Sequence, residues 1–132
     1  MKKNLFLPCI VLICVFLSFF AYTLPVNNVI DNIRTSTDDF VKYDTYPKIY
    51  EQYMGSRLDN WTDALMLLIS SYNDDSSVFE QAMASRYYTE KGLNPVQVLE
   101  KVYSEGTSEL SISEYNRYWH GYNFIVRLLL NF

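Results

Sequence analysis

Cysteine is nearly absent from this chain: the only two, Cys9 and Cys14, both fall within its first 22 residues. The rest can form neither a disulfide nor a cysteine-ligated zinc site, so its stability rests on packing alone. Exported domains without cysteine are more common in bacteria than among secreted eukaryotic domains of this size, which rely on disulfides, and this favours a bacterial origin. Histidine occurs once, as His120, and a single imidazole makes no metal site. Lys and Arg gather in no stripe and the net charge is −4, which argues against a nucleic-acid partner because binding phosphates requires a basic surface. No internal repeat or low-complexity tract stands out.

What the chain has in excess is tyrosine, 12 of 132 residues. Its ring is apolar and its tip polar, which suits membrane interfaces, binding surfaces and the rims of small cores. The length leaves room for one domain of about a hundred residues after the N-terminal segment.

That segment, residues 5–22, carries no charge and is rich in Leu, Ile, Val and Phe. It is long enough to reach the lower edge of a bilayer span, and longer than the apolar region of about 7 to 15 residues in a cleavable signal peptide. The small residue a signal peptidase requires is represented only by Ala21, behind the bulky Phe19 and Phe20. Pro8 before Cys9 and Ile13 before Cys14 speak against a lipoprotein signal. An uncleaved signal-anchor is therefore favoured over a cleaved signal, and either sends the chain across a membrane. Lys2 and Lys3 orient residues 1–4 to the cytoplasm by the positive-inside rule. Residues 31–117 hold all 15 acidic and eight basic side chains, in keeping with an outward-facing segment.

Residues 23–114 are expected to form an extracytoplasmic all-α bundle, with five or six helices in the exported part and no strands. Residues 26–43 give one long or two short helices, interrupted by Thr35-Ser36-Thr37-Asp38-Asp39. Pro47 opens a turn through Ile49 and Tyr53 that stops at Gly55. Asp59 or Asn60 caps the most buried helix, with Asp63 in its first turn, where a carboxylate suits the helix dipole. Ser77 and Glu80 form a capping box for a helix over residues 78–88 closed by Gly92, and Asn94-Pro95 starts another that ends at Gly106. Ser111 and Glu114 read as a further capping box.

Residues 115–132 read as an aromatic-rich apolar helix, becoming more apolar toward Phe132. Tyr115, Tyr118, Trp119 and Tyr122 look like a membrane-interface belt, so the segment is expected to begin a second membrane span; the alternative is an amphipathic core helix. Arg127 would snorkel to the headgroups in the first case and lie on a polar face in the second.

Gly55-Ser56-Arg57-Leu58-Asp59-Asn60-Trp61-Thr62-Asp63-Ala64 and Arg117-Tyr118-Trp119-His120-Gly121-Tyr122, placed after an N-terminal anchor, resemble the opening of an uncharacterised family of bacterial multi-pass membrane proteins. The resemblance implies a first span, an extracytoplasmic helical loop and further spans beyond the residues of this chain.

Three candidates for chemistry remain. Asp59 and Asp63, four residues apart, share a helix face and could present paired carboxylates to a metal or a lipid-linked sugar donor; the plainer reading is a cap and a first-turn acid. His120, next to Gly121 and among aromatics, could touch a headgroup, or simply pack at the interface. No nucleophile is spaced to work with it. Asn73-Asp74-Asp75-Ser76-Ser77 lacks the glycine and terminal glutamate of a calcium loop. No cofactor or resident metal is expected, and the lipid bilayer is the one partner the residues name, a membrane-protein or glycan partner staying open. The leading reading is the N-terminal part of a larger multi-pass membrane protein with no assignable activity. The alternatives are an anchored extracytoplasmic binding domain and a fragment of a polyprenyl-phosphate-dependent glycosyltransferase.

Overall fold

Pro25 separates two helices of opposite character. Proline has no N–H to donate and disfavours a helical residue before it, so helix α1 (Phe6–Thr23) stops short of it and helix α2 (Val26–Lys42) starts just after. The computed structural model describes residues 6–43, 45–116 and 122–132. Helix α1 is apolar along its length, and α2 is amphipathic: Val29, Ile33 and Thr37, spaced by four, are buried, whereas Thr35, Asp38 and Asp39 face solvent. The polar run therefore does not break the helix, and Thr37 Oγ1 satisfies itself on the Ile33 carbonyl at 3.0 Å.

After α2 the chain forms a long loop rather than the helical turn expected after Pro47. Lys48 and Arg57 pair as an isolated antiparallel bridge. Ile49 N donates to the Ser56 carbonyl at 3.0 Å and Leu58 N to the Pro47 carbonyl at 2.9 Å, and a single 3₁₀ turn spans Met54–Ser56. Ser56 Oγ sits inside, within 2.7 Å of the Tyr50 and Tyr53 carbonyls.

Helix α3 (Asn60–Ser71) follows, with Asp59 as its N-cap, and α4 (Val78–Ala84) begins at the expected Ser77–Glu80 capping box. It ends earlier than expected. Ser85 takes a left-handed backbone (φ 43°), and residues 86–88, expected to end the helix, belong instead to strand β1 (Arg86–Thr89). Helix α5 (Pro95–Ser104) has the expected Asn94 cap, completed into a capping box by Gln97, and Gly106 at φ 91° turns the chain after it. Ser111 and Glu114 open no helix: they bound strand β2 (Ser111–Glu114), which pairs antiparallel with β1 so that Arg86 faces Glu114 and Tyr88 faces Ile112. The half-buried Tyr87, Tyr88 and Thr89 of β1 and the β-branched Ile112 opposite Tyr88 suit this pleated pair. The strandless fold is thus corrected to a mostly helical one with a single two-stranded sheet among the described residues.

Val29 and Ile33 of α2, Ala64 and Leu68 of α3, and Val96, Val98 and Leu99 of α5 form the core, so three helices bury their stripes against one another. The last helix, α6 (Asn123–Leu129), packs against α1 and α3. Helix α1 is long and apolar enough to cross a membrane, and no other described helix is.

Candidate functional site

The centre of the molecule's organisation is a cation. Arg127 on α6 is 1% exposed, the largest fully buried side chain, so it neither snorkels nor lies on a polar face. Its Nη1 donates to the Ser70 carbonyl at 2.7 Å and more weakly to that of Tyr72 at 3.4 Å, while Nε donates to the Ala21 carbonyl at 3.2 Å. The guanidinium carbon stands 4.1 Å from the centroid of the Tyr22 ring.

These acceptors have a common origin. Ala21 lies in the last turn of α1, Ser70 in the last turn of α3, and Tyr72 is the residue after it. Terminal helical carbonyls lack partners within their own helix and carry the negative end of its dipole, which a planar fork of N–H donors can satisfy. Among the described residues no carboxylate lies within 4.0 Å of Arg127, so carbonyl dipoles and a ring face take the place of a counter-ion. Asn32 Nδ2 reaches the Leu130 carbonyl at 2.8 Å and Asn28 Nδ2 that of Asn131 at 3.3 Å, which ties the turn after α6 to α2.

This joint fixes the base of α1 to the domain. Ser18, Ala21 and Tyr22 are buried there, and Tyr22 Oη lies 3.5 Å from the Ile69 carbonyl. Beyond the joint α1 is bare: residues 6–13 are all exposed, with Phe6 at 76% and Leu12 at 68%. Cys9 and Cys14 on this helix are free thiols.

Asp59 occupies its capping role with both oxygens: Oδ1 accepts from Thr62 N at 3.0 Å and Oδ2 from Thr62 Oγ1 at 2.7 Å. Asp63 is held above the ordinary carboxylate range by partial burial and by the neighbouring Asp59 charge. Neither lines any of four clefts of about 310 to 340 Å³ on the domain surface. Among the described residues no three His, Cys, Asp or Glu side chains are grouped to hold a metal. His120 lies outside the described residues, as do Lys2 and Lys3 and the whole Arg-Tyr-Trp-His-Gly segment.

A second polar hub closes the loop between α3 and α4. Asp74 accepts from Ser76 through its backbone N–H (3.0 Å) and its hydroxyl, from the Tyr72 hydroxyl (3.0 Å) and from Arg86 (3.1 Å), which also reaches Glu114 at 3.2 Å. Burial alone would raise the Asp74 pKa, but these donors bring it below its ordinary value. The Tyr72 phenol is pushed up to about 12 by burial and by its bond to Asp74. Arg86 so staples the sheet to the loop.

At the other end of α2 and α3 the loop over residues 45–58 exposes Tyr46, Ile49, Tyr50, Tyr53, Met54 and Leu58. Helix α2 runs out from α1 for 17 residues and α3 brings the chain back to the Arg127 joint, so the loop lies far from α1. One loop thus leaves three Tyr, one Met, one Ile and one Leu on the surface.

The fold and joint together define a class: a small helical domain clamped to the foot of a bare apolar helix and carrying an aromatic loop at its far end. No protein-family model, no curated protein and no solved structure matches the chain. Sequence reasoning found the helix but missed the joint. Its signal was present in a lone arginine within the apolar run Phe124-Ile125-Val126-Arg127-Leu128-Leu129-Leu130, a costly position for a cation without internal acceptors.

Proposed function

We propose that this protein is a membrane-anchored binding domain, with α1 as an uncleaved anchor in a bacterial inner membrane. Residues 1–4 lie in the cytoplasm and the helical domain on the outer face, where the loop over residues 45–58 is offered to a protein or glycan partner. The observation that carries this reading is the bare surface of α1 joined to a buried foot. A rod of exposed Phe, Leu, Ile and Val is unfavourable in water by roughly 1.5–3 kcal/mol per large side chain, and lipid removes that cost. The burial of Ala21 and Tyr22 under Arg127 favours retention of α1, since cleavage after Ala21 would strip the joint of its α1 acceptor. Orientation follows from Lys2 and Lys3 by the positive-inside rule. The same reading holds whether the domain stands alone or opens a larger multi-pass protein, because α1, Arg127 and the loop all belong to this chain.

The test is membrane fractionation of the full chain expressed in a bacterium. Resistance to alkaline carbonate, at the mass of the unprocessed chain, is the expected result. Release into the supernatant, or a mature form beginning near residue 22, would overturn the anchor.

A further inference from the structure

The free part of α1 is too short for a bilayer. Residues 6–13, exposed all along, span about 12 Å at 1.5 Å per residue, against a hydrocarbon thickness of about 30 Å. From Cys14 onward one side of the helix is covered: Cys14, Val15 and Leu17 are half-buried, and Ser18, Ala21 and Tyr22 are buried. The other side of the same turns is still bare and apolar, with Phe16, Phe19 and Phe20 exposed. The elements that pack most extensively on α1 are α4 and α6. If α1 is immersed deeply enough to bury its phenylalanines, α4 and α6 go down with it.

Both helices carry surfaces that match that position. Phe79 and Met83 on α4 are four residues apart, as are Ile125 and Leu129 on α6, so each pair makes an apolar ridge on one helix face. All four are exposed, Leu129 at 72%. The single charge of α6 is Arg127, which is withdrawn into the joint, and the single charge of α4 is Glu80, engaged in the capping box with Ser77 at the helix start. Two short helices have thus placed their apolar side chains outward and turned their ionic groups inward or to one end. That pattern is expected for elements solvated by acyl chains and headgroups rather than by water.

We propose that α4 and α6 form a foot embedded in the outer leaflet, so that lipid covers Phe79, Met83, Ile125 and Leu129 together with Phe16, Phe19 and Phe20. The occupant is lipid rather than a second copy of the chain because α4 and α6 pack directly on α1, whose own bare surface needs the same solvent. This rests on α1 being the membrane anchor. The domain then does not hang from a flexible tether but stands partly sunk in the bilayer, which fixes the direction in which the distal loop points.

The test uses the full chain with Cys9→Ser and Cys14→Ser, carrying one nitroxide label at a time at L12C, M83C, L129C or Y50C, in vesicles of phosphatidylethanolamine and phosphatidylglycerol. Collision with oxygen and with a water-soluble nickel chelate reports the surroundings of each label. The expected result is that L12C, M83C and L129C collide several-fold more with oxygen than with the chelate, and Y50C the reverse. Oxygen-rich surroundings at L12C with chelate-rich surroundings at M83C and L129C would overturn the foot and leave the anchor standing. Chelate-rich surroundings at L12C as well would overturn both. Shielding of M83C and L129C from both reagents, with spin–spin coupling between copies, would replace lipid by a second copy.

Discussion

The guanidinium of Arg127 lies over the ring of Tyr22, 4.1 Å from its centroid, and joins residues 105 positions apart in the chain. Because its N–H groups are shared between the Ala21 carbonyl and the Ser70 carbonyl, one side chain satisfies terminal carbonyls of two helices. The contact joins α1 to the domain alongside its packing on α4 and α6.

Replacing Arg127 tests the joint. Arg127→Met leaves the Ala21 and Ser70 carbonyls without their donor and is expected to cost about 2–4 kcal/mol in unfolding of the detergent-solubilised chain. Arg127→Lys should recover only part of this, since an ammonium is a compact charge that cannot fork between the two carbonyls. Chemical denaturation followed by circular dichroism reads both; equal stability of the two variants and the parent would remove the clamp from the description.

Asparagine on α2 holds the turn after α6 in place. Asn32→Ala deletes the bond to the Leu130 carbonyl at 2.8 Å and should cost about 0.5–1.5 kcal/mol locally. Faster amide exchange confined to α6 and residues 130–132 is the expected signature, and unchanged exchange there would count against the tie.

Asp74 makes stability sensitive to acid. Its folded pKa is lowered, so its contribution is fully present above the unfolded value of about 3.9 and is lost as pH falls through the folded value. The melting temperature should hold from neutral pH down toward about 4 and then fall. Asp74→Asn is expected to lower the melting temperature at neutral pH and to flatten the acid limb. An acid limb identical to that of the parent would assign the sensitivity to other carboxylates.

Asp59 is expected to behave as a cap. Asp59→Ala should destabilise α3 by about 1 kcal/mol, while Asp59→Asn, which keeps an acceptor, should be nearly neutral. Equal losses in the two variants, read by thermal denaturation, would show that the charge matters beyond capping.

Much of this arrangement was legible in the sequence, and the failures have physical causes. The apolar run of α1, the Asp59 and Asn94 caps and the Ser77–Glu80 box are local signals, and local signals survive folding unchanged. The strands were hidden because each is four residues long and because Ser111 and Glu114 carry the residue types of a capping box while Glu114 is in fact the partner of Arg86 across the sheet. The turn through Ile49 and Tyr53 failed for another reason: the loop closes on itself through the Lys48–Arg57 bridge and the Ser56 hydroxyl, which takes the Tyr50 and Tyr53 carbonyls that a helical turn would use. Of the candidate residues, Asp59 and Asp63 were placed correctly at the start of α3, whereas the importance of Arg127 depended on two helix ends brought to it from distant parts of the chain.

Anchored by α1, the domain holds its loop outside the cytoplasm. The most direct measurement is labelling of Y50C, in the chain with Cys9→Ser and Cys14→Ser, by a membrane-impermeant maleimide in intact bacteria with permeabilised outer membranes. Labelling before lysis, equal to that after lysis, is expected. Labelling that begins only when the inner membrane is broken would contradict it, for the domain would then lie in the cytoplasm.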